Sequence, residues 1–422
     1  MDDLLALSTE IIDGGLTDRP FNRTSNELSE VADGLAIVES FSHSVVLDTG
    51  EGLVAFDASH ALTGQQIVEA IRGWRTDPVT HIVYTHGHAD HVGGSGAFTA
   101  AYGELDVVGH RNVERRFERY AMTNDWNVAV NARQFGGVRG DFGMGDYPEF
   151  IPADTARPNL VVDDHDVLTI GDRTIELHHA RGETDDHLWA WLPEQKWIAS
   201  GDFMIWNFPN AGNPQKVQRY PIEWAAALRA MIAKEPELLL PAHGLPIEGT
   251  ERIAMVLTDI ADALDTLVHD VIEMMNGGEV LDTIVQSVKV PDDLLAKPYL
   301  RPLYDEPEFV VRNVWRQFGG WWDGAPSRLK PAPDAQLAAE LADLVGGAGP
   351  LIDRAQALAD AGDFRLACHL ADLAGWAAPQ EAGVHRARAA IYRARRKTET
   401  SLMSKGIFAG AARESEAIAD PG

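Results

Sequence analysis

The feature that most constrains this chain is a six-residue run that holds three histidines and one aspartate. The run, His86-Gly-His-Ala-Asp-His91, begins one residue beyond the strand-like segment His81–Tyr84, with Thr85 between them. In an extended segment, residues two apart point the same way, so His86 and His88 can bind one metal ion from one side. Asp90 and His91 follow where the chain turns and can face a second ion. Imidazole with carboxylate suits zinc, with iron or manganese as the other candidates, so the run predicts a pair of metal ions.

Composition narrows the class of protein and of partner. The chain has 422 residues, which favours two or three domains, and 36 Lys+Arg against 64 Asp+Glu give a net charge of −28. Nucleic acids and anionic membranes both need a basic surface, so neither is an expected partner. We find no signal peptide and no apolar run long enough to span a membrane. Cys368 is the single cysteine, so no disulfide can form within the chain, and we expect a soluble cytoplasmic protein.

Hydrophobic patterning changes character near residue 250. Before residue 250, short apolar runs typical of strands alternate with segments whose apolar residues have helical spacing. After it, the segment Ile253–Met275 has the pattern of a long amphipathic helix. Residues 351–376 resemble one helix-turn-helix repeat, and simple helical-hairpin packing stays open as the alternative. The residues after Thr400 are rich in Ala, Glu and Ser, a composition typical of disorder. We therefore predict an α/β catalytic domain over 1–250, a helical domain over 251–400 and a disordered tail over 401–422.

The His-x-His-x-Asp-His pattern resembles the motif of the metallo-β-lactamase superfamily. The resemblance implies an αββα sandwich, here followed by an all-α domain, and three further ligands. These would be Asp202 in a Gly-Asp pair after a strand, His243 after the buried Leu238–Leu240 run, and Glu183 where most relatives have histidine. His187 stays open as a replacement for Glu183.

Other histidines and one acid near these positions have expected supporting roles. His178 and His179 are candidates for orienting the ligands. The remaining candidates for the structure or the pocket rim are His43, Asp57, His60 and His110.

Glu183 points to the alkyl sulfatase branch of the superfamily, which carries glutamate there. The stretches Tyr304–Asn313 and Gly320–Pro326 also look like the dimerisation domain of that branch, which implies a homodimer. The chain departs from the branch in three ways. Asp202 stands where its members usually have glutamate. The stretch Asn131–Gly137 resembles a sulfate-contacting stretch of the branch but has Phe135 for its tyrosine and Gly137 for its asparagine. The segment 210–217 lacks the sulfate-binding arginine of the branch. Arg219 or Lys216 is the candidate replacement.

The resulting hypothesis is a binuclear zinc hydrolase of alkyl sulfate esters, small anionic molecules with an apolar tail. One ion would be bound by His86, His88 and Glu183, and the other by Asp90, His91 and His243. Asp202 and a metal-bound hydroxide would bridge them, with Asp90 and Asp202 as the catalytic carboxylates. The candidate substrate contacts are Asn131, Phe135, Trp206 and Arg219.

Three alternatives stay open. The same ions could hydrolyse another ester, a lactone or a phosphoester. A non-hydrolytic di-iron protein on the same fold is the second alternative, and an interaction protein built on the helical repeat is the third.

Overall fold

The chain forms two compact units in a computed structural model that describes residues 3–135 and 149–421. The first unit comprises 3–125, 149–279 and 283–320. The second comprises the described parts of 126–148, together with 280–282 and 321–421.

The first unit contains two β-sheets. Within the described residues, the first sheet has seven strands arranged in chain order. They are β1 (Leu28–Ala32), β2 (Leu35–Val38), β3 (Ser44–Asp48), β4 (Leu53–Phe56), β5 (Val79–Val83), β6 (Asp106–His110) and β7 (Leu160–Val162). Neighbours from β1 to β4 are antiparallel, and neighbours from β4 to β7 are parallel.

The second sheet has six strands within the same described ranges. They are β8 (His165–Ile170), β9 (Arg173–His179), β10 (Leu188–Leu192), β11 (Trp197–Gly201), β12 (Leu238–Pro241) and β13 (Ile247–Glu248). These strands are also arranged in chain order across the sheet. β11 and β12 pair in parallel, whereas the other neighbours are antiparallel.

The core lies between the two sheets because alternate strand residues point to opposite faces. In β3, Val45 and Leu47 pack with Ile175 and Leu177 of the second sheet. Val46, between them in sequence, packs on the outer face of the first sheet. Both faces of these strands are therefore buried, which explains their continuous apolar runs.

Helices cover the outer faces of both sheets, so the predicted αββα sandwich is confirmed. The helices from the N-terminus to the middle of the chain are α1 (Leu4–Gly14), α2 (Gly64–Trp74), α3 (Ala89–Val92), α4 (Ser95–Tyr102), α5 (Asn112–Met122), α6 (Asn124–Phe135) and α7 (Pro221–Ile232). Those that follow before residue 320 are α8 (Thr250–Asn276), α9 (Leu281–Ser287), α10 (Asp292–Leu295) and α11 (Pro307–Gly319). Apolar residues of α2 and α4 pack on the first sheet, and α8 packs on β12 and β13.

The second unit is helical in its described residues beyond 320. Its helices there are α12 (Pro326–Leu329), α13 (Asp334–Val345), α14 (Ala348–Asp360), α15 (Phe364–Ala377), α16 (Ala382–Thr398) and α17 (Leu402–Ala419). The predicted helix-turn-helix over 351–376 is confirmed as α14 and α15. Gly362 permits the turn with φ +85°, and the Asp363 side chain caps α15 by accepting from Leu366 N.

The prediction of a disordered tail over 401–422 is wrong, because residues 402–419 form α17. Ser401 caps this helix by accepting from Ser404 N at 3.2 Å. Ala412 of α17 is fully buried and packs in one apolar cluster with Tyr392 of α16. Small residues at helical spacing thus form a buried face on this segment. The prediction of disorder used only the amino-acid composition, which does not depend on this spacing.

The border between the two units also differs from the predicted residue 250. Residues 250–279 and 283–320 belong to the first unit. The reason is that the apolar face of α8 packs on α7 and on the second sheet, and α11 packs on α8. No helix within the described residues is both long and apolar enough to cross a membrane.

Candidate metal centre

Four strand ends deliver the seven predicted ligands. The histidine-rich run follows β5, Glu183 follows β9, Asp202 follows β11 and His243 follows β12. His88 has an extended backbone with φ −74° and ψ 148°, and α3 begins at the next residue. His86 and His88 therefore precede the turn, whereas Asp90 and His91 lie within it.

His86, His88 and Glu183 form the first group of ligand-type side chains. Their ligand atoms all lie within 4.8 Å of one another. His86 Nε2 is 2.8 Å from His88 Nδ1, which is 3.5 Å from Glu183 Oε1. His86 and Glu183 are buried, and His88 is partly buried. The structure thus places Glu183, as predicted, beside the two histidines that precede the turn.

Asp90, His91 and His243 form the second group, again with ligand atoms within 4.8 Å of one another. Asp90 Oδ2 is 3.6 Å from both His91 Nε2 and His243 Nε2.

Asp202 lies between the two groups. Its Oδ1 is 3.4 Å from His91 Nε2 and 3.5 Å from His243 Nε2, and its Oδ2 is 4.0 Å from His86 Nε2. One carboxylate therefore contacts both groups, as a bridging ligand between two ions would.

These side chains fit divalent cations. Among the described residues, the buried atoms Asp202 Oδ1 and His91 Nε2 have no hydrogen-bond partner. A buried carboxylate oxygen without a partner is unfavourable, and a cation would satisfy both atoms. The donors are nitrogen and oxygen without sulfur, a set that suits zinc, iron or manganese.

The two carboxylates next to His86 have pKa values that shift in opposite directions. Burial raises the pKa of Glu183 well above its usual range, and Asp202 adds to the rise against the opposing effect of Arg219. Burial also acts to raise the pKa of Asp202, but His91 and His243 hold it well below its usual range. The crowded negative charge near Glu183 favours the approach of a cation.

Comparison with protein families agrees with this geometry. Residues 37–243 match the metallo-beta-lactamase superfamily, and this range contains all seven ligand-type side chains. The chain belongs to the metallo-β-lactamase superfamily. Residues 280–417 match the family described as alkyl sulfatase dimerisation, which places the chain in the alkyl sulfatase branch.

Curated relatives of this superfamily member include two alkylsulfatases from Pseudomonas. The chain is 26% identical to a linear primary-alkylsulfatase over 326 residues, which cover 72% of this chain and 60% of that protein. It is 23% identical to an (R)-specific secondary-alkylsulfatase over 343 residues, which cover 76% of this chain and 52% of that protein. The chain thus spans between half and two thirds of the length of these relatives.

Among solved structures, the fold resembles the stereoselective inverting sec-alkylsulfatase Pisa1 from Pseudomonas sp. The TM-score is 0.83 at 22% sequence identity, and the match covers 92% of this chain and 66% of that protein. At this identity the likeness concerns the fold alone.

Asp57 orients His91 in this metallo-β-lactamase fold, a role that the sequence left undecided between structure and pocket rim. Asp57 Oδ2 is 2.7 Å from His91 Nδ1, and Thr85 donates to both Asp57 oxygens at 2.7 Å. A proton at Nδ1 leaves the Nε2 lone pair for a cation. The sequence signal that could have indicated this role is an acidic residue directly after a buried strand. Asp57 follows β4 and has a φ of +62° in the structure.

Replacing Asp57 by asparagine is expected to weaken metal binding about 10- to 100-fold, as the loss of a partner behind a ligand histidine does. The affinity is measured by competition with a chromophoric chelator. Asp77→Asn, at an exposed position before β5, is the control and should bind metal like the wild type. Unchanged affinity in Asp57→Asn would contradict this role.

A buried ion pair holds the middle of the histidine-rich run. Asp186 Oδ2 accepts from Gly87 N at 3.0 Å and from Arg116 Nε at 2.8 Å. Burial alone would raise the pKa of Asp186, but Arg116 holds it well below its usual range. The charged pair therefore anchors the residue between His86 and His88.

His187 lies behind the centre and is in neither group of ligand-type side chains. Its Nε2 accepts from Asp202 N at 3.2 Å, and its ring stacks on Phe203 at 4.1 Å. Of the two possibilities left open by the sequence, the structure therefore places Glu183 at the centre.

The other predicted supporting histidines lie at separate places. His179 stacks on His110 at 3.9 Å, and its Nε2 is 3.1 Å from Asp185 O in the loop that carries Glu183. His178 stacks on Trp189 at 4.2 Å. His43 Nε2 is 2.8 Å from Gly244 O, next to His243. His60 packs edge-on against Phe41 at 6.3 Å.

The prediction that Trp206 contacts substrate is wrong. Trp206 is fully buried, stacks on Phe21 at 5.7 Å and donates to Leu245 O at 2.8 Å. Its ring packs so closely on Gly244 that a Cβ there would lie 2.3 Å from it. Trp206 thus supports the loop that carries His243.

Arg219 likewise differs from its predicted role as a substrate contact. Only 2% of Arg219 is exposed. Its Nη1 donates to Glu183 O and lies 3.1 Å from Glu183 Oε1. The segment between β11 and α7 turns the Arg219 guanidinium inward, against the buried Glu183 carboxylate. Arg219 therefore holds Glu183 in place.

The last two predicted substrate contacts lie in α6, within the second unit. Asn131 is buried and Phe135 is partly buried, and their contact with substrate stays a prediction. Gly136 and Gly137, which complete the stretch that resembles a sulfate-contacting segment of the branch, lie outside the described residues.

Tyr304 is a further residue near the metal centre. In the sequence it appeared only as part of the stretch that resembles the dimerisation domain. Burial raises the pKa of Tyr304 well above its usual range, and the carboxylates of Glu183 and Asp90 add to the rise. The side chain is therefore within electrostatic reach of both groups. No local spacing reveals this, because more than a hundred residues separate Tyr304 from Glu183.

Proposed function

We propose that this protein is a hydrolase of alkyl sulfate esters that uses two divalent cations, with zinc as the expected metal. The observation that carries the proposal is the arrangement of seven ligand-type side chains in two groups joined by Asp202. The similarity to proteins named as alkylsulfatases supports the choice of sulfate esters.

Each of the two groups of side chains would bind one cation. His86, His88 and Glu183 would hold one cation, whereas Asp90, His91 and His243 would hold the other, with Asp202 shared. When bound, the cations would supply Lewis acidity and ionise water near neutral pH. The Glu183 carboxylate would donate more negative charge to its cation than a neutral histidine and so lower that Lewis acidity.

Two further side chains of this chain can act on an anionic substrate. The Tyr304 hydroxyl, whose pKa the carboxylates of Glu183 and Asp90 help to raise, is a hydrogen-bond donor. Burial and Arg219 lower the pKa of Lys216 to about 8, whereas Asp90 and Glu183 raise it. Because Arg219 pairs with Glu183, we assign the contact with the sulfate group to Lys216, the other candidate replacement for the missing arginine.

Replacing Lys216 by glutamine is expected to raise KM for an alkyl sulfate about tenfold or more, the size expected for loss of a charge-assisted hydrogen bond. The KM for a neutral carboxylate ester should change less. Lys196→Gln is the control, because Lys196 is half exposed and pairs with Glu237. An unchanged KM for the alkyl sulfate in Lys216→Gln would remove the lysine from the substrate site.

Hydrolysis of another ester, a lactone or a phosphoester is the second candidate. It is favoured by the pairing of Arg219 with Glu183 and by the lack of arginine in 210–217. Product identification with sulfate, phosphate and carboxylate esters of one alkyl chain tests the choice. We expect sulfate as the main product, and phosphate or carboxylate alone would favour the second candidate.

We also propose a homodimer, on the basis of the match of residues 280–417 to alkyl sulfatase dimerisation. Light scattering at micromolar concentration tests it, and a monomer there would contradict it. Cytoplasmic location stays a prediction from the single cysteine.

A further inference from the structure

The orientation of Glu183 is set from the segment 210–219, which here is called the Glu183 clamp. Asn210 Nδ2 donates to Glu183 Oε1, and Arg219 pairs with the same oxygen at 3.1 Å. Arg219 also donates to the backbone oxygen of Glu183. All three residues are buried. Any shift of the clamp would therefore move the carboxylate.

The clamp is itself held by Asp305, just before α11. Asp305 Oδ2 accepts from Gly212 N at 2.6 Å and from Asn213 N at 3.1 Å, and Oδ1 accepts from Glu306 N at 2.7 Å. Asp305 is fully buried. A Cβ on Gly212 would lie 2.5 Å from Val310 N, so the clamp approaches the start of α11 as closely as glycine allows.

Asn313 on α11 joins the two ends of the clamp. Its Nδ2 donates to Ala211 O and to Arg219 O, each at 2.9 Å. Its Oδ1 accepts from Arg219 N at 3.4 Å. One buried amide thus fixes the residue after Asn210 and the backbone of Arg219, so both contacts to Glu183 depend on it.

We infer that Asp305 and Asn313 are positioning residues of the metal centre, acting through the Glu183 clamp on the cation that Glu183 would bind. This inference rests on the proposed function. It gives part of the matched dimerisation segment, 280–417, a role in the first unit that is separate from dimerisation. Apolar residues of α11 such as Val310 and Val314 are buried and can dock the helix without these polar contacts.

Metal affinity separates a positioning role from a purely structural one. We expect Asn313→Ala and Asp305→Ala to hold one of the two metal equivalents about 10- to 100-fold more weakly, with the other unchanged. Asp305→Asn should be affected less, because its remaining oxygen can still accept from Gly212 N and Asn213 N. Val314→Ala is the matched control, since it removes buried apolar contact from the same helix without removing a polar one.

The measurement is metal release to a chromophoric chelator, alongside the thermal midpoint of each variant. Asn210→Ala, which leaves α11 intact, should release the same equivalent, and its effect should be non-additive with that of Asn313→Ala. The inference is overturned if the Asp305 and Asn313 variants hold both equivalents like the wild type. It is also overturned if Val314→Ala loses metal to the same degree at equal thermal midpoint. In both cases a wild type with two bound equivalents leaves the proposed function standing, whereas a wild type that binds no metal contradicts both.

Discussion

Replacing Asp202 by alanine is expected to remove metal from both groups and to lower kcat for the alkyl sulfate at least about 1,000-fold, a loss of roughly 4 kcal/mol in transition-state stabilisation. The reason is that the Asp202 carboxylate contacts both groups, with Oδ1 3.4 Å from His91 Nε2 and Oδ2 4.0 Å from His86 Nε2. His88→Ala and Asp90→Ala should lose metal and activity as well. The measurement is elemental analysis of the purified variants together with sulfate release.

The control for this experiment is Asp166→Ala, at an exposed position of β8. It should keep the metal content and the activity of the wild type. Full metal content and full activity in Asp202→Ala would contradict the bridging role.

Replacing Arg116 by methionine is expected to lower the free energy of unfolding by about 3–5 kcal/mol, because it leaves a buried carboxylate without its counter-charge. The side chains of Arg116 and Asp186 are 2% and 0% exposed, so solvent cannot compensate. The anchor on Gly87 should weaken too, so the variant should also bind metal less tightly. Urea denaturation of the metal-free and metal-loaded forms measures both effects.

Arg111→Met supplies the comparison for that result. Arg111 pairs with Asp163, but both side chains are more than half exposed. Loss of such an exposed pair changes stability by less than about 1 kcal/mol. Similar losses in the two variants would show that the buried pair does not anchor the histidine-rich run.

The sequence predicted the parts of the centre that depend on short-range geometry. His86, His88, Asp90 and His91 are separated by fixed small spacings, and the change from strand to helix at His88 follows from that local run. Family resemblance extended the prediction to Asp202 and His243, which each follow a buried strand. Spacing could not choose between Glu183 and His187, because both lie in an irregular loop between β9 and β10 where no periodicity indicates direction.

The type of a residue did not predict its role where tertiary contacts determine the direction of its side chain. Trp206 and Arg219 lie between β11 and α7, in a segment without periodicity, and both turned out to be buried supports of a ligand loop. The predicted border at residue 250 differs from the division of the structure into units for a related reason. The amphipathic pattern of α8 predicts a buried face, but it does not say that the face packs on α7 and the second sheet.

The most direct test of the proposed metal-dependent hydrolysis is elemental analysis of the purified wild type, combined with removal and return of the metal. We expect about two equivalents of zinc per chain, loss of sulfate release on chelation, and recovery when zinc is returned. Undiminished sulfate release from protein stripped of metal would contradict it, and iron with visible absorbance but no hydrolysis would favour the di-iron alternative.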